Sequence, residues 1–313
     1  MGAPLVAPLT GHLDVALTNF AKGFVQNELV SDIVAPRVPV GRQTDKYWIF
    51  GRESQELLQQ TLRATGAPAQ RIRMSLSSGS YSAVSHALAA EIADEDRLGY
   101  EPGSLEQDAT ATLIAKILLD KEDRLAAIIT DVSVVTQNVT LAGADQWSNY
   151  ETAKPLTNVE TGKAVIRKSG VRPNLMVIGE DVFTKLINFP SLLELFKYTT
   201  QGPLDEAKLA VAFGVDRVVV GRGVKIDKAG TVTTIFGKDV VICYVSATPG
   251  ARDISFAKTF IWSGAPGTVG GIGTVIGRQP DPTAKGDILG VDFYYDQKVT
   301  AVETGYLIKA AVA

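Results

Sequence analysis

The longest regular pattern in the chain opens at Ser104. Leu113, Ile114, Ile117, Leu118, Leu125, Ile128 and Ile129 recur at helical spacing and form one broad apolar stripe, while Lys116, Asp120, Lys121, Glu122, Asp123 and Arg124 fill the other face. Ser104 and Gln107 have the spacing of a capping box, so the pattern predicts a helix over residues 104–130. At ~1.5 Å per residue that helix is about 40 Å long, roughly twice the average, a length that a compact domain does not use casually.

Downstream, residues 132–141 read as β-rich and lead to a polar loop around Asp145-Gln146-Trp147-Ser148-Asn149-Tyr150. Helical and apolar runs then alternate. Thr157-Asn158-Val159-Glu160 has the form of a second capping box, whose helix runs to a stop at Gly170. A strand at 174–179, helical segments through Lys185 and Leu195, a Pro203-led helix to Phe213, and strands at 216–221 and 239–245 complete an α/β unit. The C-terminal part, from about residue 251, is β-like with Gly- and Pro-rich turns. Upstream of the long helix the pattern is different. Pro36-Arg37-Val38-Pro39-Val40-Gly41-Arg42 and Ser75-Leu76-Ser77-Ser78-Gly79-Ser80 are rich in breakers, and Lys46-Tyr47-Trp48-Ile49-Phe50-Gly51-Arg52 reads as a short aromatic strand. With little to bury, this region is predicted to be an extended excursion, uncommon in a compact domain unless something outside orders it.

Composition narrows the class. With 313 residues, 45% of them hydrophobic and 21% charged, a packed globular protein is expected, near the size at which one core divides into two. One cysteine and two histidines, His12 and His86, exclude an intrachain disulfide framework, a zinc module and a haem-attachment motif. A net charge of -3 provides no basic field for tight sequence-specific binding to nucleic acid, although local patches allow weak phosphate contact. The N-terminus lacks the charged and apolar regions of a signal peptide, and no window approaches an uninterrupted apolar membrane span. The expectation is a soluble protein made in a reducing cytoplasm, opening at Met1 with no propeptide removed. Neither a 20 to 50 residue repeat nor a low-complexity tail is visible.

The charges nearly cancel over the chain but not locally. Arg37, Arg42, Lys46, Arg52, Arg63, Arg71 and Arg73 against Asp45, Glu53 and Glu56 give residues 37–73 a net +4. Glu91, Asp94, Glu95, Asp96, Glu101, Glu106 and Asp108 against Arg97 give residues 91–108 a net -6. These segments can pair within a chain or between chains, and two solvated faces explain them equally well, since an exposed pair contributes roughly 0 to 1 kcal/mol.

Candidate chemistry is sparse. Cys243 lies in a continuous apolar strand, where a buried small hydrophobe explains it better than a thiolate nucleophile. His86 has no nucleophile-elbow motif to serve, and His12 falls in an expected mobile arm. The Gly-rich run at 267–277 lacks the following helix and acidic partner of a dinucleotide loop, because Pro280 and Pro282 close it off, so Gly-permitted strands or a close backbone contact are expected. Asp94 with Asp96, and Glu122 with Asp123, read as solvated charge runs. The residues therefore argue against catalysis. The excursion, the over-long helix and the complementary charges argue for assembly.

From about Phe20 to Val312 the chain resembles the major capsid proteins of tailed bacteriophages with the Hong Kong 97-type shell fold. The resemblance is carried by Ile33-Val34-Ala35-Pro36-Arg37-Val38-Pro39-Val40 before Lys46-Tyr47-Trp48-Ile49-Phe50, and by Tyr81 ahead of an Ala-rich and then acidic stretch. The long helix, Asp145-Gln146-Trp147-Ser148, Gly170-Val171-Arg172-Pro173-Asn174 and Phe213-Gly214-Val215-Asp216-Arg217-Val218-Val219-Val220-Gly221 follow in order, and the run from Asp296 to Ile308 is similar to the family's last strand. Each piece is weak; their order and spacing are specific.

What the resemblance implies is an α+β fold with an N-terminal arm (1–36), an extended loop (37–80), a peripheral domain (81–156) holding a spine helix at 104–130, an axial α/β domain (157–250), and C-terminal strands returning to the peripheral domain (251–313). It implies a structural, non-enzymatic protein without cofactors. That protein self-assembles through hexamers and pentamers into an icosahedral head around double-stranded DNA, which it touches nonspecifically. The implied location is the virion capsid, assembled in the host bacterial cytoplasm without a membrane partner. The expected subunit-interface residues are Arg37, Arg42, Lys46, Trp48, Arg52, Arg63, Arg71 and Arg73 on one side and Asp94, Glu95, Asp96 and Glu101 on the other. Two departures from the family pattern matter. No N-terminal scaffolding segment is present and no Lys and Asn pair is marked for crosslinking, so a separate scaffolding protein and a noncovalent shell are expected, with a portal and optionally a decoration protein as further partners. A cellular nanocompartment shell of the same fold and an unrecognised soluble α/β enzyme are the competing readings.

Overall fold

The computed structural model describes residues 12–13, 29–50, 76–97, 104–197, 203–265 and 274–313, except Lys228 and Ala284, and single positions within 58–71 and at Gly99. In chain order the elements begin with β1 (His12–Leu13), α1 (Ser31–Val34), β2 (Arg37–Val40), β3 (Thr44–Phe50), β4 (Leu76–Ser82), β5 (Val84–Ala93), α2 (Asp94–Arg97) and α3 (Ser104–Ile129). Then follow β6 (Asn138–Thr140), α4 (Pro155–Arg167), β7 (Leu175–Gly179), α5 (Glu180–Leu186), α6 (Pro190–Phe196), α7 (Glu206–Phe213), β8 (Arg217–Gly221), β9 (Val224–Ile226) and β10 (Val232–Thr234). The chain closes with β11 (Val240–Cys243), β12 (Ala257–Trp262), β13 (Thr274–Asp281), β14 (Gly286–Val299) and β15 (Gly305–Lys309).

Two sheets organise these elements. In the five-stranded sheet, ordered β6-β15-β11-β7-β8, β7 and β11 are the apolar central strands. Every residue of both is buried, the pattern of strands covered on two faces. Met176, Ile178, Val240 and Ile242 point into a core formed with Val159 and Ile166 of α4, Leu186 of α5, Leu192 of α6 and Phe213 of α7. The alternate residues Leu175, Val177, Val241 and Cys243 point the other way, against Leu125, Ala126 and Ile129 of α3 and Val34 of α1. The second sheet runs β1-β13-β14-β12-β2, with β5 also paired to β14. Its odd-numbered β14 residues Leu289, Val291, Phe293 and Tyr295 meet Leu113, Ile114 and Ile117 of α3.

The 26-residue helix α3 therefore ties the two sheets together. Its first half covers one sheet and its last turns cover the other. The expected helix ends one residue early, at Ile129, and its apolar stripe faces inward as read.

The polar face does not behave as expected. Lys121 and Glu122, assigned from sequence to the solvated side, are fully buried. Lys121 lies four residues after Ile117 and four before Leu125, within the stripe itself, and Glu122 faces the chain segment that enters α1.

Other departures have local causes. Residues 37–40, read as part of a breaker-rich excursion, form β2, which pairs in parallel with Thr259–Trp262 of β12 and buries Val38 and Val40. Pro39 is tolerated because β2 is a sheet edge. Of residues 132–141 only β6 is strand. The helix expected to be capped at Thr157 starts at Pro155, which is favoured at a first helical position. The Pro203-led helix starts at Glu206, because Asp205 accepts a hydrogen bond from Lys208 N, 2.8 Å, and caps it. Its end matches expectation: Gly214, at φ 61°, takes the left-handed conformation at the α7 C-terminus. His12, expected in a mobile arm, pairs with Arg278 of β13.

Two sequence motifs prove to be fastenings. Gln146 donates to the carbonyls of Ala310 and Val312, and Trp147 N donates to Ala311 O, 2.7 Å, so the 145–148 loop clasps the C-terminus. Asn174 donates to Val245 O and accepts from Val245 N, closing the β7 entry onto the end of β11.

Candidate subunit interface

β3 and β4 form a two-stranded hairpin in register from Thr44↔Ser82 to Phe50↔Leu76. Its inner face is built from aromatics. Tyr47 and Tyr81 both stack on Phe260, with ring centroids 5.4 and 4.6 Å away. Gly79 lies directly under the Tyr47 ring, where any Cβ would collide with it. At the root, Tyr81 OH donates to Arg42 O, 3.3 Å, and Ser82 N donates to Asp296 Oδ2, 2.8 Å. Burial pushes both tyrosine hydroxyls above their ordinary range, aided by Asp296 at Tyr47 and Asp45 at Tyr81.

Because side chains alternate across a strand, fixing Tyr47 inward turns Lys46 and Trp48 outward. Trp48 is 55% exposed. Leu58 and Leu62, further along the excursion, are almost wholly exposed, and Arg63 and Arg71 are exposed. Among the described residues the excursion thus presents exposed apolar and cationic groups, with Trp48 half-exposed at a cavity of about 300 Å³ that it lines with Arg252, Ile254 and Thr300 of its own chain.

The expected interface residues fall into three groups. Arg37 is already engaged: its Nε and Nη2 donate to the two carboxylate oxygens of Asp32, at 3.0 and 2.7 Å. Arg42 lies 3.7 Å from Asp45 in an exposed pair of little energetic weight. Lys46, Trp48, Arg63 and Arg71 remain turned to solvent. Arg52, Arg73 and Glu101 lie outside the described residues. On the acidic side, Asp94, Glu95 and Asp96 make up the exposed first turn of α2. That turn is pinned by Arg97, which donates to Asp94, Glu106 and Asp287 at 3.0, 2.8 and 2.6 Å. Arg278 shares Asp287, which together with Arg97 holds that carboxyl below its ordinary range against the effect of burial. Among the described residues, no ion pair joins the basic excursion to the acidic segment within one chain.

Sequence reasoning missed a polar cluster beneath α1. Glu122 Oε1 and Oε2 accept from Val30 N and Ser31 N, at 2.9 and 2.7 Å, and satisfy orphan donors at the start of that turn. Lys121 donates to Asp32 and lies about 6 Å from the ring centres of Phe293 and Tyr295. Burial raises the Glu122 carboxyl, against the two backbone donors, and lowers the Lys121 ammonium, against Asp32. For Asp32, burial pushes upward, but hydrogen bonding from Arg37 and the Lys121 charge hold the carboxyl low. The available signal was the position of Lys121 in the stripe. The partner was invisible because Asp32 and Lys121 are far apart in sequence.

The groups weighed for chemistry are structural. Cys243 is fully buried in β11, and burial pushes its thiol up to about 12. The His86 ring lies tilted against Tyr295, centroids 4.2 Å apart, and burial lowers its pKa. Among the described residues no group of three or more His, Cys, Asp and Glu could hold a metal ion, and no helix is long and apolar enough to cross a membrane.

A family profile described as phage major capsid protein E matches residues 105–270. The chain is 30% identical over 252 residues to the major capsid protein of Burkholderia phage BcepMu, covering 77% of this chain and 78% of that one. In three dimensions it is similar to a phage-related protein from Bordetella bronchiseptica RB50, with a TM-score of 0.79 at 27% identity over 96% of this chain and 98% of that one. The capsid protein of Cyanophage P-SCSP1u shares the fold, with a TM-score of 0.61 at 9% identity over 93% and 92% of the two chains.

Proposed function

The chain belongs to the phage major capsid protein E family, and we propose that its shell is held together by the basic excursion of one copy meeting the acidic segment of the next. Its fold is the α+β Hong Kong 97-type, and its role is structural, not enzymatic: copies of it associate into the virion capsid. The proposal concerns how they do so.

The observation that carries it is the division of the β3–β4 hairpin into a face spent on its own chain, through Tyr47 and Tyr81, and a face left open, through Lys46 and Trp48. An exposed indole between cations is the anchor type that dominates interface energetics. The open face of α2, with Asp94, Glu95 and Asp96, offers charges of the opposite sign, which speed and orient encounter. Arg37, Arg42, Lys46, Trp48, Arg52, Arg63, Arg71 and Arg73 then face Asp94, Glu95, Asp96 and Glu101 across the contact. Arg37 takes part only by giving up its bond to Asp32.

Within this reading residues 1–36 are an N-terminal arm and 37–80 an extended loop rooted by β2. Residues 81–156 and 251–313 are assigned to a peripheral domain around α3 and 157–250 to an axial domain around which hexamers and pentamers close, with β6 and β15 crossing that division to complete the axial sheet. A separate scaffolding protein, a portal, nonspecific contact with packaged double-stranded DNA and an optional decoration protein complete the assembly, which takes place in the host bacterial cytoplasm. Replacing residues 42–73 by a short Gly/Ser linker tests the central claim. The expected product is a folded subunit with a cooperative melt that elutes as single copies or capsomers in gel filtration and shows no shells by electron microscopy. Normal shells from that variant would overturn the reading.

A further inference from the structure

β5 is an edge strand of unusual length. It pairs with β14 from Val84↔Tyr295 to Ala93↔Gly286, and no other described strand pairs with it. Edges in native proteins are kept short or guarded by Lys, Pro or a bulge, because unpaired N–H and C=O groups template another strand. This one runs ten residues, Val84-Ser85-His86-Ala87-Leu88-Ala89-Ala90-Glu91-Ile92-Ala93, with no Lys, Pro or Gly. Val84 is 56% and Leu88 40% exposed. Their register opposite Tyr295 and Val291 places Val84, His86 and Leu88 on the α3 side of the sheet, beyond the helix's own cover. A groove of about 280 Å³ opens there between β5 and α3, lined by Val84, His86, Arg124, Ala127, Ile128 and Tyr295 among others.

A complementary edge exists on the same chain. β3 pairs with β4 alone among the described strands, and its outward face carries Lys46 and Trp48. Within the chain Trp48 is held opposite Ser78 and does not line this groove. The occupant is therefore sought on a second copy, and charge agrees at one end: Arg42 precedes β3, while β5 runs into Glu91, Asp94, Glu95 and Asp96.

Resting on the reading that the excursion acts between subunits, we propose that β3 of one copy adds as an antiparallel strand to the outer edge of β5 of the next, with Trp48 opposite His86. Stepping along antiparallel strands from that pair sets Lys46 opposite Leu88 and Arg42 opposite Ile92, beside Glu91 and Asp94. Main-chain ladder bonds supply affinity and the alternate side chains supply specificity. The Trp48 indole enters the groove, where the Arg124 guanidinium can meet its ring face.

Crosslinking tests the register. A chain carrying Lys46→Cys is co-assembled with one carrying Leu88→Cys; both positions are exposed, and the native Cys243 is fully buried and does not compete. Oxidised shells are expected to contain a disulfide joining the two substituted positions, identified by peptide mass mapping. Shells that assemble without it, or shells of Leu88→Cys alone that crosslink to themselves, would overturn the proposal. In parallel, Leu88→Lys, a guard charge on the free edge, is expected to abolish shells without shifting the subunit melt, while Leu88→Ile assembles. Leu88→Lys shells formed in normal yield would also overturn it. The 42–73 replacement separates this from the broader reading. If that replacement still forms shells, the excursion is not intersubunit at all. If it abolishes shells and Leu88→Lys does not, only the β5 landing site is wrong.

Discussion

The seam under α3 and the hairpin β3–β4 both rest on aromatic rings of the same sheet, and they finish differently. Under α3, Ile117 meets Phe293 and Tyr295, and the two charges that enter, Lys121 and Glu122, find Asp32 and two backbone donors inside the chain. On the hairpin, Tyr47 and Tyr81 close one face against Phe260, and the opposite face, with Trp48 and Lys46, is left open. The first region is closed within the chain, and the second leaves one face exposed. On the reading proposed above, that difference separates residues that make the subunit from residues that join subunits.

The sharpest attempt to break the comparison is Ile117→Asp. An unpaired carboxylate among Leu113, Ile276 and Phe293 costs several kcal/mol, comparable with the whole stability of a domain. Insoluble protein is expected on expression, and a soluble variant that forms shells would show that this face is not core.

Glu122→Gln is a smaller change in the same region. One amide oxygen replaces two carboxylate oxygens, so one of Val30 N and Ser31 N loses its acceptor, at about 1–3 kcal/mol in denaturant titration. Its pH dependence sharpens the test. Folded Glu122 holds its proton more tightly than unfolded Glu122, whose ordinary value is 4.5, so raising the pH above 4.5 costs the native state stability through this group. The stability of wild type relative to Glu122→Gln should therefore fall between pH 4.5 and the raised folded value and stay level below 4.5. A difference that is flat with pH would mean that burial does not raise this carboxyl.

On the hairpin the expected effects on the subunit are small and those on assembly large. Trp48→Ala removes a half-exposed ring, so the subunit melt should move by no more than about 0.5 kcal/mol, while shells counted by sedimentation are lost. A destabilised but assembling variant would place Trp48 in the core. Arg63→Glu with Arg71→Glu should leave the melt unchanged. Shell formation should fall, and the residual assembly should respond less to salt, because the Debye length shortens from about 10 Å at 0.1 M to about 3 Å at 1 M. Normal assembly at low salt would mean that charge is not what the excursion contributes.

Much of this was legible in the chain. Stripe periodicity defined α3 to within one residue, because a run of 26 residues repeats the 3.6 period many times. The apolar runs marked β7, β8 and β11, because strands buried on both faces must be continuously apolar. The exposed side of the excursion followed from composition, since a segment with so few apolar anchors has no core of its own to offer. What the sequence could not decide was partnership. Arg37 reads the same whether it meets solvent, a neighbour or Asp32, and β2 looks like loop until β12 arrives beside it. Lys121 and Glu122 were assigned to solvent because their local pattern records residue type and spacing. The carboxylate and backbone donors that make their burial tolerable come from residues 30–32, some ninety positions away in sequence. Local periodicity is set by the backbone's own geometry and needs only neighbours in sequence. The burial of a charge is decided by the balance of desolvation against a specific partner, and that partner is brought to it only by the tertiary fold.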